Sequence, residues 1–411
     1  MAYPTLNANE LNTSLFNQII SQELFARIDQ GGSLVDKARV DGSLLGDTKT
    51  YFAADAIHTR PFAQDSEDEL NLLAVKRNKS VKTQAIQLDV FRIAETTTDD
   101  LMTKRAWSTE GAFADYNSLL NQMIPISKYL HECTTYDTFI GTLCKGTKGK
   151  QNPSGIALTE GKVGRQIANF LANVMNDMIH PSRDYNEYEH ITKFSMKDIE
   201  IVWNTRWVDR IEKIDLPVIF HKEGVMDKFA ENQVHESYWG NKVSLADVSS
   251  GTPDTTHPVK KTGTVYTFEP VSGNTVILRP TEEVKIPCSD GETYAEFFAG
   301  EEIKNPVVGG VTKTLVLTDF GSKLYVQDND YICKLFVKLP PLLGACNLSS
   351  EFYNPKNHST NRYLVFGRNS LVPYEAFPCV TIKAASVDEP VVNALVVNDS
   401  DNPVVTQEVT E

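Results

Sequence analysis

The segment KFSMKDIEIVWNTRWVDRIEKIDLPVIFHKEG, residues 193–224, predicts a strand, a short helix and an extended piece in close succession. Residues 198–202 (DIEIV) alternate polar and apolar side chains, which predicts a β-strand. Apolar residues at helical spacing follow directly and predict a short helix; they are Val208, Ile211 and Ile214. Residues 216–221 predict another extended piece.

Two longer helices are predicted upstream of this segment. The clearest spans residues 161–181, where Pro181 would stop it; its apolar face carries Val163, Ile167, Phe170, Leu171, Val174 and Met178. Residues 99–145 also have mainly helical spacing of apolar residues. Pro125 lies within this run, and because proline removes a helix hydrogen bond we expect it to kink or divide the helix.

Residues 47–98 predict a long hairpin, with strands over 48–57 and 81–94. The second strand alternates polar and apolar side chains up to Val90, with the apolar ones at even-numbered positions. After Val90 the apolar side chains stand at odd-numbered positions, Phe91 and Ile93, and so point to the other face. Such a slip predicts a bulge or bend. The connection is acidic and then basic (DSEDEL, VKRNKS), so its tip should project from the domain, although an ordinary solvated loop is the alternative.

The two ends of the chain look different from its middle. Residues 1–46 contain one predicted helix, with apolar residues at spacing four between Leu15 and Ile28, between two strips expected to be extended. This helix would pack on its own domain or on a neighbouring subunit. Residues 386–411 carry six acidic residues and no Lys or Arg, which predicts a mobile or surface tail.

Residues 241–345 are rich in Gly, Thr, Val, Pro and Asp and predict a small all-β unit. Short alternating runs separated by turn signals are TVYTFEPV, TVILRP, VKIPC, KTLVLTDF, KLYVQ and YICKLFVKL. Residues 346–385 return to mixed structure, with strands near RYLVFG and CVTIKA.

Composition excludes several classes of protein. The chain has 411 residues, 41% of them hydrophobic, which is too apolar for a disordered chain. It has no apolar run long enough for a transmembrane helix, and its first residues do not predict a signal peptide. The net charge is −14, of which −6 comes from the tail, and this argues against a protein that coats nucleic acid.

No motif predicts a catalytic, cofactor-binding or metal-binding residue. Walker, Gly-x-Ser-x-Gly, Gly-x-Gly-x-x-Gly and His-Glu-x-x-His patterns are absent from the sequence. The cysteines form no Cys-x-x-Cys pair and are expected to be reduced and mostly buried; they are Cys133, Cys144, Cys288, Cys333, Cys346 and Cys379. The basic loop at 145–150 lacks the aromatic residues that stack on bases, so a solvated loop is the simpler interpretation.

The order of arm, hairpin, long helix and strand–helix segment resembles the major capsid protein of tailed bacteriophages, the Hong Kong 97 fold. The hairpin strands TYFAADAIHTRPFA (50–63) and QAIQLDVFRIAE (84–95) look like that family's E-loop. The resemblance implies an α+β fold with a spine helix between Gly111 and Cys144. It divides the chain into an N-terminal arm (1–46), an E-loop (47–98), a peripheral domain (99–160), an axial domain (161–240), a β-rich insertion or enlarged axial-domain loops (241–345), a return to the peripheral domain (346–385) and an acidic tail (386–411).

The resemblance also implies a function. The chain would assemble into hexamers and pentamers of an icosahedral head shell that encloses double-stranded DNA with weak contact. Scaffolding, portal or decoration proteins would be its partners, and it would reside in the virion capsid after assembly in the host cytoplasm, without a membrane. Some relatives cross-link a lysine to an asparagine; the candidates would be Lys76, Lys79 and Lys82 with Asn354, Asn357 and Asn361, but no motif supports this.

Three other functions fit the sequence less well. An encapsulin-like compartment shares the fold, but the β-rich region and the length of this chain count against it. A surface adhesin or tail-type virion protein could use the β-rich residues 241–345 for binding. An enzyme would need residues far apart in the sequence to converge on one site.

Overall fold

The computed structural model describes residues 33–41, 48–57, 59, 81–99, 110–143, 150–151, 155–159, 163–212, 232–243, 258–269, 276–317 and 323–386. Several predicted features lie outside these ranges. They are the helix within residues 1–32, the hairpin tip, the basic loop at 145–149, the extended piece at 216–221 and the acidic tail from 387.

The helices lie in the first half of the described chain, and most of the strands follow them. Its α-helices are α1 (Leu34–Ala38), α2 (Glu110–Thr142), α3 (Val163–Ile179) and α4 (Thr205–Glu212), with a 3₁₀ turn at Glu236–Tyr238. Its strands are β1 (Arg39–Asp41), β2 (Thr48–Ala53), β3 (Lys82–Asp99), β4 (Ile156–Ala157), β5 (Glu200–Asn204), β6 (Gln233–Val234), β7 (Gly240–Lys242), β8 (Val259–Thr262), β9 (Val265–Phe268), β10 (Leu278–Pro280), β11 (Val284–Pro287), β12 (Tyr294–Phe297), β13 (Val307–Val308), β14 (Val311–Thr312), β15 (Leu315–Val316), β16 (Leu324–Gln327), β17 (Tyr331–Phe336), β18 (Leu342–Asn354), β19 (Ser359–Asn369) and β20 (Cys379–Ser386).

A five-stranded central sheet, in the order β4-β20-β17-β5-β6, holds the main core. The predicted strand–helix segment is confirmed, because β5 leads directly into α4. Alternate residues of β5 point to opposite sides: Ile201 and Trp203 pack with α3 and α4, whereas Val202 packs with α2. Helices therefore cover both faces of this sheet, and all six residues of β17 are buried between them.

Helix α2 is the predicted long helix, and Pro125 lies inside it without dividing it. Its C-terminal half is buried, and the hydroxyls of Thr134, Thr138 and Thr142 donate to carbonyls one turn earlier at 2.9, 2.7 and 2.7 Å. Lys334 of β17 is fully buried and its Nζ donates to the carbonyls of residues 140 and 141, each at 2.7 Å. The ammonium thus satisfies carbonyls at the helix end that have no partner within the helix.

A second five-stranded sheet, which we call the peripheral sheet, has the order β1-β18-β19-β3-β2. The prediction that residues 33–47 form an extended strip is wrong for residues 34–38, which form α1, and confirmed for residues 39–41, which form β1. Leu34, Val35 and Ala38 of α1 are buried against α2, and β1 pairs in parallel with β18. Three apolar side chains on one turn are enough to fix this segment on the chain's own core.

The predicted bulge in the second hairpin strand is confirmed. Asn369 pairs with Leu88, but the preceding Arg368 pairs with Val90, so Asp89 is an extra residue on β3. The Oδ1 of Asp89 accepts a hydrogen bond from the backbone N–H of Ser370. Because the extra residue changes the parity of the strand, apolar side chains on either side of it can remain on one face of the sheet.

The β-rich region forms small sheets around its own core, and the strands predicted for 264–327 are confirmed. The predicted end of this region at residue 345 is wrong, because β17 lies in the central sheet between β20 and β5, and β18 begins at Leu342 in the peripheral sheet. Likewise β20 belongs to the central sheet rather than to the periphery. The reason is that β17 carries apolar side chains on both faces, with Lys334 as its one charged residue, and fits only a sheet that is covered on both sides.

Candidate assembly surfaces

The two faces of the peripheral sheet are covered to different extents. We call the face that α2 covers the inner face. Phe366 of β19 marks it, because the His131 ring lies 5.8 Å and the Lys128 ammonium 5.7 Å from the Phe366 ring. The opposite, outer face carries Ile86 and Leu88, which are buried under Tyr374 and Phe377 from the segment after β19.

Beyond the bulge, the outer face continues with apolar side chains that the described residues leave exposed. Phe91 is 46% exposed and Ile93 is 55% exposed. Sheet pairing places Val365 beside Ile93, and Phe352 of β18, 59% exposed, lies four residue pairs further toward the β18–β19 turn on the same face. The cover over the outer face therefore ends partway along the sheet.

A charge cluster joins the β-rich region to the inner face of the peripheral sheet. Glu282 accepts hydrogen bonds from Arg92 of β3 at 3.3 Å and Arg368 of β19 at 3.2 Å, and it pairs with Lys323 at 2.8 Å. Burial raises the pKa of Glu282, but the hydrogen bond from Lys323 and the three positive charges outweigh it, so the net pKa lies below its usual range. The adjacent Glu283 lies 3.6 Å from the His131 ring.

A second polar contact fixes the base of the predicted E-loop hairpin. Asp55, just after β2, accepts hydrogen bonds from the backbone N–H of Ile191 and from the Arg183 guanidinium, each at 2.8 Å. The N–H of Ala56 donates to the same carboxylate at 2.9 Å. The hydrogen bonds from Ile191 and then from Arg183 lower the pKa of Asp55 to about 2. The hairpin base is thus attached to the loop that follows α3.

Sequence patterns did not predict either polar contact. The only local signal for the charge cluster is the adjacent pair Glu282 and Glu283 between two short strands, together with arginines at strand positions. Asp55 gives no such signal, because it lies within the strand predicted over 48–57. Both contacts join segments that are distant in the sequence, so only the tertiary structure reveals them.

The candidate cross-linking residues lie at opposite ends of the peripheral sheet. Lys82 begins β3, whereas Asn354 pairs with Ser359, which pairs with Asp99 at the end of β3. At roughly 3.3 Å per residue, these ends are about 55 Å apart. Lys76 and Lys79 lie outside the described residues. A bond between Lys82 and Asn354 would therefore have to join two subunits.

The described structure contains no arrangement that suggests chemistry at a metal or a reactive thiol. No cluster of His, Cys, Asp or Glu that could hold a metal ion occurs within the described ranges. Cys133, Cys288, Cys333 and Cys379 form no disulfide bond, and burial raises the pKa of the first three thiols. Of the other two, Cys144 lies outside the described residues, as does the side chain of Cys346.

Comparison with known proteins decides which family this architecture represents. Residues 2–249 match the family model of the Phi29-like phage major capsid protein. The chain belongs to this family. As a phage major capsid protein it is a structural component of the virion shell and not an enzyme. None of the curated proteins searched matches this capsid protein.

One solved capsid structure supports the same fold. A chain from the capsid of Staphylococcus phage Andhra is 13% identical, with a TM-score of 0.51, and the alignment covers 88% of this capsid protein and 89% of that chain. A chain from the capsid of cyanophage P-SCSP1u is 11% identical with a TM-score of 0.42, covering 89% and 94%. The similarity to the Andhra chain shows an α+β capsid fold. In the part of the chain that the structure describes, no helix has the length and apolarity of a membrane span.

Proposed function

We propose that this capsid protein assembles into hexamers and pentamers of an icosahedral head shell that encloses double-stranded DNA. The observation that carries the proposal is the family match across residues 2–249. An incompletely covered peripheral sheet supports it as well, because a subunit that completes its surface in a lattice can leave an apolar face bare as a monomer.

We also propose which segments of the chain form each domain of the subunit. The peripheral sheet and α2 would form the peripheral domain, with residues 47–98 as the E-loop and residues 1–46 as the arm. The central sheet with α3 and α4 would form the axial domain. The β-rich unit would project from the axial domain, and the charge cluster at Glu282 would hold it against the periphery.

Weak contact with packaged DNA is consistent with the charge of the chain. Nonspecific binding to a duplex is driven by the counterions released when Lys and Arg neutralise phosphates. A chain with a net charge of −14 is repelled by those phosphates, so few such contacts are expected. Scaffolding, portal or decoration proteins would supply any further contacts. Assembly would take place in the host cytoplasm.

Negative-stain electron microscopy of the purified full-length chain tests the proposal. We expect rings of five and six subunits and closed shells, either from the chain alone or after coexpression with the other head proteins. Particles from infected cells should contain duplex DNA that nuclease cannot reach. A chain that remains monomeric in both preparations would contradict the proposal.

A further inference from the structure

The peripheral sheet has its apolar and polar residues on unexpected faces beyond the bulge. The inner face, against α2, carries Arg92, Arg362 and Arg368. The outer face carries Phe91 and Ile93, which are about half exposed. A sheet normally points its apolar side chains toward protein and its charges toward water. The arginines remain inside because carboxylates meet them there, but within the described residues nothing covers the apolar outer face.

The outer face is also held in shape before any partner binds. Gly367 pairs with Phe91, and a Cβ at residue 367 would lie 2.9 Å from the Phe91 ring and 3.2 Å from Leu88. The absence of a side chain at Gly367 therefore lets the Phe91 ring lie across β19 beside Leu88. Leu88 belongs to the buried cluster under Tyr374 and Phe377, so the exposed residues continue a core that is already formed.

The size of the exposed area indicates the kind of contact it can make. The side chains of Phe91, Ile93 and Phe352 are each about half exposed. Half of the area that three such side chains can bury amounts to roughly 300 Å² of exposed apolar surface. This area is spread along the outer face, because Phe352 lies four residue pairs and two strands away from Ile93. A stable protein interface buries about 800 Å² per partner, so these residues could form the apolar centre of an interface but not the whole of it.

We propose that the outer face between Phe91 and Phe352 is a contact between subunits and that its occupant is a second copy of this chain. The inference rests on the proposed shell function, because assembly of identical chains supplies the partner at high local concentration. The neighbour would extend the cover that Tyr374 and Phe377 provide within the subunit. Phe91 and Ile93 would be the central residues of this contact.

Charge substitution at the centre of the outer face tests the proposal. The double variant Phe91→Glu/Ile93→Glu should fold, because both side chains are exposed, but the concentration needed for assembly should rise about tenfold or more. The matched control is Val308→Glu/Val311→Glu, on the exposed hairpin of β13 and β14, where the valines are 46% and 60% exposed. Sedimentation and electron microscopy measure assembly, and circular dichroism checks the fold.

The outcomes separate this inference from the proposed function. If the unchanged chain forms shells and the Phe91/Ile93 variant forms them equally well, the outer face is not an interface and the inference is wrong. If the unchanged chain never assembles, the proposed shell function itself is wrong, whatever the variants do. If both double variants fail to assemble, the effect is not specific to the outer face, and that result also overturns the inference.

A labelling experiment identifies the occupant independently of assembly yield. Ile93→Cys should react quickly with a maleimide in the unassembled chain and at least about tenfold more slowly in shells, whereas Val307→Cys should react quickly in both. Slow labelling of residue 93 in the unassembled chain would mean that residues of the same chain cover the outer face. That result would overturn the assignment to a second copy.

Discussion

The central and peripheral sheets have the same number of strands, but they differ in what covers them. Helices lie on both faces of the central sheet, so every residue of β17 is buried within one chain. Among the described residues, α2 lies on one face of the peripheral sheet, and the segment that contains Tyr374 and Phe377 covers only part of the other. The central sheet is therefore buried within one chain, whereas we propose that the outer face of the peripheral sheet is covered when subunits assemble.

The sharpest test of this comparison removes one apolar side chain from each sheet. Leu335→Ala in β17 should lower the free energy of unfolding by about 2–5 kcal/mol, because Leu335 is fully buried and its truncation leaves a cavity. Ile93→Ala on the exposed outer face should change it by about 0.5 kcal/mol or less. Urea denaturation of the unassembled chain measures both. Equal losses would show that the outer face is already buried in the monomer.

The next test concerns the link between the central sheet and α2. Lys334→Met keeps the length of the side chain but leaves the carbonyls of residues 140 and 141 without their donor, which should cost about 2–3 kcal/mol. Lys338→Met, at an exposed position two residues past β17, is the matched control and should cost little. Thermal unfolding followed by circular dichroism would compare them. A neutral effect of Lys334→Met would show that the ammonium contributes no net stability at the helix end.

A smaller effect is expected where the β-rich unit meets the peripheral sheet. Glu282→Gln removes the charge that Arg92, Arg368 and Lys323 share and should cost about 1–3 kcal/mol at pH 7. Because folding lowers the pKa of Glu282, its contribution is present above the unfolded pKa and disappears as the pH falls through the folded value. The difference in melting temperature between variant and parent should therefore shrink below about pH 4.

Glu296→Gln is the control for that experiment. Glu296 pairs with Lys285, but its side chain is 73% exposed, so its loss should leave the melting temperature nearly unchanged at every pH. A pH-independent loss in Glu282→Gln would show that packing, and not charge, holds the two parts together.

The smallest effect is expected at the base of the hairpin. Asp55→Asn should loosen the contact with the loop after α3 and speed hydrogen exchange at the amides of Ile191 and Ala56. Folding lowers the pKa of Asp55 to about 2, so the carboxylate contributes above roughly pH 4 and its contribution is lost as the pH falls toward 2. Asp184→Asn, at an exposed carboxylate paired with Lys150, is the control and should leave these amides unchanged.

Much of the local structure could be predicted from the sequence. The strand–helix step at β5 and α4, helix α3 and the bulge at Asp89 each follow from periodicity within a few neighbouring residues. The predictions failed where a segment pairs with strands that are distant in the sequence. The run YICKLFVKL belongs to the central sheet, although the strands that precede it form the β-rich unit and the strand that follows it lies in the peripheral sheet.

The sequence by itself determined helices α2, α3 and α4, the strands of the hairpin and the position where the apolar side of β3 changes parity. It also indicated the capsid family, through the order of these segments. Only the tertiary structure decided that Lys334 caps α2, that Glu282 joins two units and that Phe91 and Ile93 remain exposed. The physical reason is that periodicity depends on neighbours along the chain, whereas burial and ion pairing depend on segments that folding brings together.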